Sequence, residues 1–129
     1  MRVFLADDRT KVRLALRLLL EQEPGLIVVG EADEAENLLA QVQAIQPDLV
    51  LLDWELPGLR ASELLLVLHS LSCSLKVIAL SGHLEACEEA LAAGADAFVS
   101  KGDPPERLLD ALRAVGVSFE LGKREEFSR

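Results

Sequence analysis

The sequence predicts an α/β fold, a doubly wound parallel sheet made of five βα units over residues 1–115. Three observations predict it. Short apolar runs alternate five times with stretches of helical period. Several of those runs are apolar throughout, as in strands covered on both faces. Pro and Gly fall at the junctions between units. The 129 residues fit one domain, since a domain takes about 100 to 200 residues.

The first strand is the run Val3 to Ala6, and Val12, Ala15, Leu16, Leu19 and Leu20 follow at the spacing of one helical face. Pro24-Gly25 ends that unit. Leu26 to Gly30 is the second strand, and Ala35, Leu38, Leu39, Val42 and Ile45 are the apolar face of the second helix, which Pro47 stops. Leu49 to Leu52 is the third strand and ends at Asp53. After the Pro57-Gly58 turn, Ala61, Leu64, Leu65 and Leu68 form one stripe of the third helix, widened by Leu66 and Val67. Lys76 to Leu80 reads as the fourth strand, Leu84 to Ala93 as the fourth helix with Gly94 as its stop, and Ala97 to Ser100 as the fifth strand. Asp103-Pro104-Pro105-Glu106 reads as a helix start with Asp103 as N-cap, and the fifth helix is expected to run to about Val115. Residues 116–129 show no period and are expected to form a linker or C-terminal tail, with Lys123 to Glu126 a solvated charge run. Parallel strands need right-handed helical crossovers, and five such units match the flavodoxin-like order 2-1-3-4-5. That order reverses between strands 1 and 3 and binds ligands beyond the carboxyl ends there.

Composition narrows the function. The chain is 50% hydrophobic and 27% charged, which is globular rather than disordered. Thirteen Lys and Arg against 22 Asp and Glu give a net charge of −9, the wrong sign for tracking a phosphate backbone. Direct nucleic-acid binding and docking to an anionic membrane are therefore not expected, whereas the acidity permits a cationic ligand, a divalent metal or a basic partner surface. No apolar run reaches the length of a membrane span, about 18 residues or more, and Asp7 and Asp8 come too early for a signal peptide. A cytoplasmic location is expected, with Cys73 and Cys87 as ordinary reduced thiols.

Chemistry collects at the strand ends. Asp7 and Asp8 follow strand 1, Asp53 follows strand 3, Ser81 strand 4 and Lys101 strand 5. A single strand-end Asp is most simply a helix cap, but five convergent groups form a constellation. Three neighbouring carboxylates repel at low dielectric unless a cation or protonation neutralises them. Oxygen-only ligands select a hard ion, Mg²⁺ or Mn²⁺, that keeps positions open for a phosphoryl oxygen. Lys101 and the Ser81 hydroxyl complete an oxyanion site.

In order and spacing, Val3-Phe4-Leu5-Ala6-Asp7-Asp8, Pro47-Asp48-Leu49-Val50-Leu51-Leu52-Asp53, Leu56-Pro57-Gly58, Ala79-Leu80-Ser81-Gly82, Gly94-Ala95-Asp96-Ala97-Phe98-Val99 and Ser100-Lys101 resemble the receiver domain of two-component response regulators. The likeness covers about residues 2 to 115, and around residues 20 to 52 it is nearest to receivers that precede LuxR-type helix-turn-helix domains. The resemblance implies Asp53 as phosphoacceptor, with Asp8, the Asp53 carboxylate and the Glu55 backbone carbonyl as ligands of Mg²⁺ or Mn²⁺. It implies Asp7 as a support or a ligand through water, Ser81 and Lys101 as phosphoryl contacts, and Ser81 and Phe98 as the switch pair. It implies a sensor histidine kinase or phosphotransferase as donor and an output domain or partner as target. The chain would then promote only its own phosphorylation and dephosphorylation. The output domain is expected to be missing from this chain or to lie in a partner, and a second copy of the chain is a further candidate partner.

Gly102 stands where many receivers have proline, Ala61 where glycine is common, and Gly82 in place of a frequent alanine; none removes a chemical group. Trp54 reads either as packing beside the site or a partner contact, or as core filling. His83 reads as an exposed loop residue or a gate for water, His69 as a boundary residue, and the Glu55 side chain as a modulator of dephosphorylation. Three rival readings fit less well. A haloacid dehalogenase-like phosphohydrolase needs an Asp-x-Asp after strand 1, where this chain has Asp7-Asp8. A flavin or nucleotide carrier needs glycines in that turn. A phosphorylation-independent adaptor has no need of the complete set Asp8, Asp53, Ser81 and Lys101.

Overall fold

Five strands, β1 (Arg2–Ala6), β2 (Ile27–Ala32), β3 (Leu49–Asp53), β4 (Lys76–Ser81) and β5 (Ala97–Ser100), alternate with the helices α1 (Thr10–Glu21), α2 (Ala35–Ile45), α3 (Ala61–Leu71), α4 (Ala86–Ala92) and α5 (Pro105–Phe127). This computed structural model describes the backbone of residues 1–127 and the side chains of residues 1–116. The strands form one parallel sheet in the order β2-β1-β3-β4-β5, the flavodoxin-like arrangement that the sequence predicts.

Side chains alternate across a strand, so one sheet needs two cores. Phe4, Ala6, Val50, Leu52, Val77 and Ala79 point to one face and meet Leu38, Leu64, Leu65, Leu68 and Ala90 of α2, α3 and α4. Val3, Leu5, Leu49, Leu51, Ile78 and Leu80 point to the other and meet Leu20, Leu108 and Leu112 of α1 and α5. Each fully buried leucine contributes about 2 kcal/mol. The continuous run Leu49 to Leu52 is thus explained, because β3 lies at the sheet's centre and is buried on both faces. On the edge strand β2, Glu31 holds Arg13 Nε at 3.0 Å and Arg17 Nη2 at 2.6 Å, which ties α1 to the sheet. Burial pushes the Glu31 carboxyl up, but the two guanidiniums outweigh it and hold it below the usual carboxylate range.

Several element ends differ from the sequence expectation. β2 continues past Gly30 to Ala32, because Leu5 and Ala6 of β1 keep pairing with Glu31 and Ala32. Helix α4 begins at Ala86, not Leu84. Ala86 N–H donates to His83 C=O and Cys87 N–H to Leu84 C=O, and these i to i+3 bonds make residues 83–87 a turn first. Asp103 is not the cap of α5, which starts two residues later at Pro105. Its carboxylate instead accepts the Ser100 N–H at 3.3 Å, closing the turn after β5. Helix α5 also runs past Val115 to Phe127. Glu120, Leu121, Lys123, Arg124, Glu125 and Glu126 are strong helix formers, and propensity carries the backbone on after the apolar period stops. The side chains of the expected tail and charge run, and residues 128–129 altogether, lie outside the described residues.

The β3–α3 loop is docked by Gly58. Its φ of +114° is one that side-chain-bearing residues rarely adopt, and a Cβ there would lie 2.9 Å from Ala35 Cβ. The same loop gives the Pro57 C=O to Ala35 N–H at 2.9 Å, at the start of α2. Gly58→Ala is expected to destabilise the fold by about 1 to 3 kcal/mol, read as a lower urea midpoint with unchanged slope.

Candidate functional site

The sheet ladder continues one residue beyond several strands, and this places the polar groups. Asp7 N–H donates to Ala32 C=O, Trp54 N–H to Leu80 C=O at 2.7 Å, and Lys101 N–H to Ser81 C=O at 2.8 Å. Asp7 therefore stays in the sheet and is buried, whereas Asp8 has left the ladder and is exposed. Asp53, Ser81 and Lys101 lie at the ends of the adjacent strands β3, β4 and β5, on the carboxyl edge of the sheet where the winding order reverses between β1 and β3.

Lys101 is the hub. Its Nζ lies 2.8 Å from Asp7 Oδ2 and 3.3 Å from Asp53 Oδ1, both carboxylates being almost wholly buried. Asp7 Oδ1 accepts the Arg9 N–H at 2.8 Å, and Asp53 Oδ1 also accepts the Glu55 N–H at 3.0 Å. Asp53 makes both contacts through Oδ1, so Oδ2 keeps no protein partner among the described residues. Burial raises the Asp53 carboxyl above its ordinary value; the Glu55 N–H opposes this, the Asp7 charge adds to it, and Lys101 compensates only in part. Burial alone would lower Lys101, but the hydrogen bond to Asp7 and the charges of Asp53 and Asp7 outweigh it, so the ammonium is held above its ordinary value. One cation thus serves two buried anions, and the site carries excess negative charge.

One carboxylate oxygen from each of Asp7, Asp8 and Asp53 lies within 4.8 Å of the others. An all-oxygen set of this charge fits a hard divalent cation. The arrangement also ranks the three: both oxygens of Asp7 are already engaged, whereas Asp8 is exposed and Asp53 Oδ2 is unengaged.

Ser81 is fully buried, and its hydroxyl donates to Glu55 Oε1 at 2.8 Å and Oε2 at 3.0 Å while accepting the His83 N–H at 3.0 Å. The structure therefore brings Asp7, Asp8, Asp53 and Lys101 together and turns the Ser81 hydroxyl to Glu55. Phe98 is half-buried, paired in register with Ala79 and packed on the α3–α4 side of the core. Trp54 is both beside the site and core: it is 8% exposed, packs with the α2–α3 cluster, and lines an open depression of about 460 Å³ with Glu55, Arg60, His83 and Glu89. His83 is exposed, 3.7 Å from Glu85, and His69 is half-buried beside Gly94. Sequence spacing does not announce the Glu55–Ser81 bond or the Lys101–Asp7 pair, since each joins different strand ends.

The family model of the response regulator receiver domain matches residues 3–113 of this chain. The nitrate/nitrite response regulator protein NarL of Escherichia coli K12 is 38% identical over 112 residues, 85% of this chain and 52% of that protein. The response regulator UvrY of Escherichia coli O157:H7 is 34% identical over 115 residues, 88% of this chain and 53% of that protein. The chain thus spans about half the length of the curated relatives it matches. Among solved structures, a LuxR-family two-component response regulator from Aurantimonas sp. SI85-9A1 superposes with a TM-score of 0.83 at 30% identity, covering 88% of this chain and 83% of that one. The isolated REC domain of RcsB from Salmonella enterica serovar Typhimurium, determined with the phosphomimetic BeF3⁻, superposes with a TM-score of 0.84 at 26% identity, covering 90% of this chain and 88% of that one. With the order of its sheet, the acids at its strand ends and these likenesses in agreement, the chain belongs to the response regulator receiver domain family.

Proposed function

We propose that this chain is the phosphoacceptor of a two-component relay, with Asp53 taking a phosphoryl group from a phosphohistidine on a sensor kinase or phosphotransferase in the cytoplasm. The observation that carries the reading is the buried Asp53 carboxylate, held through Oδ1 by Lys101 and the Glu55 N–H with Oδ2 unengaged. Asp53 Oδ2 attacks phosphorus in line, a P–O bond forms, the P–N bond to the donor imidazole breaks, and the imidazole leaves with its electron pair. Lys101 takes charge from a phosphoryl oxygen, so catalysis is positioning plus neutralisation. Asp8, Asp53, the Glu55 backbone carbonyl and Asp7, the last as a support or through water, are the residues that would hold Mg²⁺ or Mn²⁺, which when bound supplies further neutralisation of the phosphoryl oxygens. Ser81 then turns to a phosphoryl oxygen and Phe98 follows, a two-state element read on the α4, β5 and α5 face, where Leu84 and Leu91 are exposed nearby. An output domain or protein partner, including a second copy of the chain, reads that face to control transcription.

The test is incubation with a small phosphodonor and Mg²⁺ followed by intact mass and peptide mapping. One phosphoryl group per chain, recovered on the Asp53 peptide, is the expected result. Stable label on a serine or histidine refutes the assignment, and multiple turnover on small phosphate esters would favour a phosphohydrolase.

A further inference from the structure

We propose that the Glu55 side chain is a positioning residue that latches Ser81 in the resting state by competing with the phosphoryl oxygen for the single proton of the Ser81 hydroxyl. The inference rests on Asp53 as phosphoacceptor and adds what holds the switch off. A serine hydroxyl donates once. Here that proton is shared between the two carboxylate oxygens of Glu55, at 2.8 and 3.0 Å, and the oxygen accepts the His83 N–H at 3.0 Å. Ser81 is fully buried, so its hydroxyl has no water to fall back on and needs a protein or phosphoryl partner. While Glu55 keeps the proton, Ser81 has none to give to a group on Asp53.

The same residue grips both ends of the switch. Glu55 donates its N–H to Asp53 Oδ1 at 3.0 Å and receives the Ser81 hydroxyl through its carboxylate. A phosphoryl dianion on Asp53 and the Glu55 carboxylate repel, so phosphorylation pushes the latch away while offering Ser81 a substitute acceptor. Glu55 has somewhere to go. It is exposed, and it borders the depression of about 460 Å³ that Arg60 also lines, which offers an opposite charge for the released carboxylate.

A latch acts as a tax on binding. If the unlatched state is about a tenth of the resting population, apparent affinity for anything that needs Ser81 is about tenfold weaker than intrinsic affinity. The probe is beryllofluoride with Mg²⁺, titrated by the fluorescence of Trp54, the only tryptophan, in wild type, Glu55→Ala, Glu55→Gln, Ser81→Ala and the Glu55→Ala/Ser81→Ala double variant. Glu55→Ala is expected to tighten the apparent Kd by about tenfold, and Glu55→Gln, which keeps the turn and an acceptor oxygen, by less. In the Ser81→Ala background the Glu55→Ala gain should vanish, because the two residues act through one bond. Equal tightening in both backgrounds would reduce Glu55 to a distant repelling charge and overturn the latch, as would no tightening at all. A wild-type chain that binds no beryllofluoride overturns the phosphoacceptor reading itself, and the latch with it.

Discussion

Asp53→Asn is expected to melt at a higher temperature than wild type at pH 7 without metal, and to accept no phosphoryl group. The loss of acceptance follows from the proposed role of Asp53, whose attacking oxygen the substitution removes. The gain in stability follows from the sign of the Asp53 shift. Its carboxyl lies above the ordinary value in the folded state, because burial and the Asp7 charge outweigh the Glu55 N–H and Lys101. A carboxyl raised on folding favours the protonated form, so its contribution is present below the unfolded value and is lost as pH rises through the folded one. At pH 7 the ionised group therefore costs stability. The asparagine side chain would keep an acceptor for the Glu55 N–H without the charge, for a gain of about 1 to 2 kcal/mol, or roughly 3 to 8 °C. The difference should shrink as pH falls toward 4, and Mg²⁺ should close it by stabilising wild type alone. Calorimetry across pH, with chelator and with Mg²⁺, checks all three. A variant less stable than wild type at pH 7 without metal would show that the Lys101 pair outweighs the repulsion.

Lys101→Ala should have the opposite effect on stability and the same effect on acceptance. Removing the ammonium leaves Asp7 and Asp53 facing each other almost wholly buried, with their shared cation gone. Breaking a buried pair from one side costs about 3 to 5 kcal/mol, and since the Lys101 side chain is 22% exposed water screens part of that, leaving about 2 to 4 kcal/mol at pH 7. The Asp53 carboxyl, already raised, rises further, so the deficit is smallest near pH 4 and widens as pH climbs. Mg²⁺ should restore more stability to this variant than to wild type, because the metal replaces the lost charge and no longer competes with the lysine. Phosphodonor labelling should fall to a small fraction of wild type, since a phosphoryl oxyanion is left uncompensated. Urea melts at several pH values, with and without Mg²⁺, supply the measurement; a variant as stable as wild type at pH 7 would remove Lys101 from the electrostatic balance of the site.

What the sequence made legible was whatever depends on local pattern. The run Leu49 to Leu52 carries the signature of a strand buried on both faces, and of the two common doubly wound orders five repeated units match one, so the placement of Asp53, Ser81 and Lys101 at one sheet edge followed. Helix ends were less legible, because Asp103 has two uses for its carboxylate and the β5 turn wins it from the α5 N-terminus. Asp7 and Asp8 are alike as letters. Only the ladder bond from Asp7 N–H to Ala32 C=O decides that the first is buried and the second exposed. Glu55 shows the same limit, since nothing in residues 53–55 says that its carboxylate reaches across to a hydroxyl on the next strand.

The Lys101–Asp7 contact joins residues 94 apart in sequence. A ribosome delivers the amino end first, so Asp7, Asp8 and Asp53 are all made while the lysine that balances them is still unsynthesised. A nascent or truncated chain ending before β5 holds the acidic cluster without its counter-charge and without the strand that seats it. The three carboxylates are therefore balanced only once β5 has paired with β4 and brought Lys101 to the sheet's carboxyl edge, so the electrostatics of the site depend on the closing of the sheet and not on any local stretch of chain.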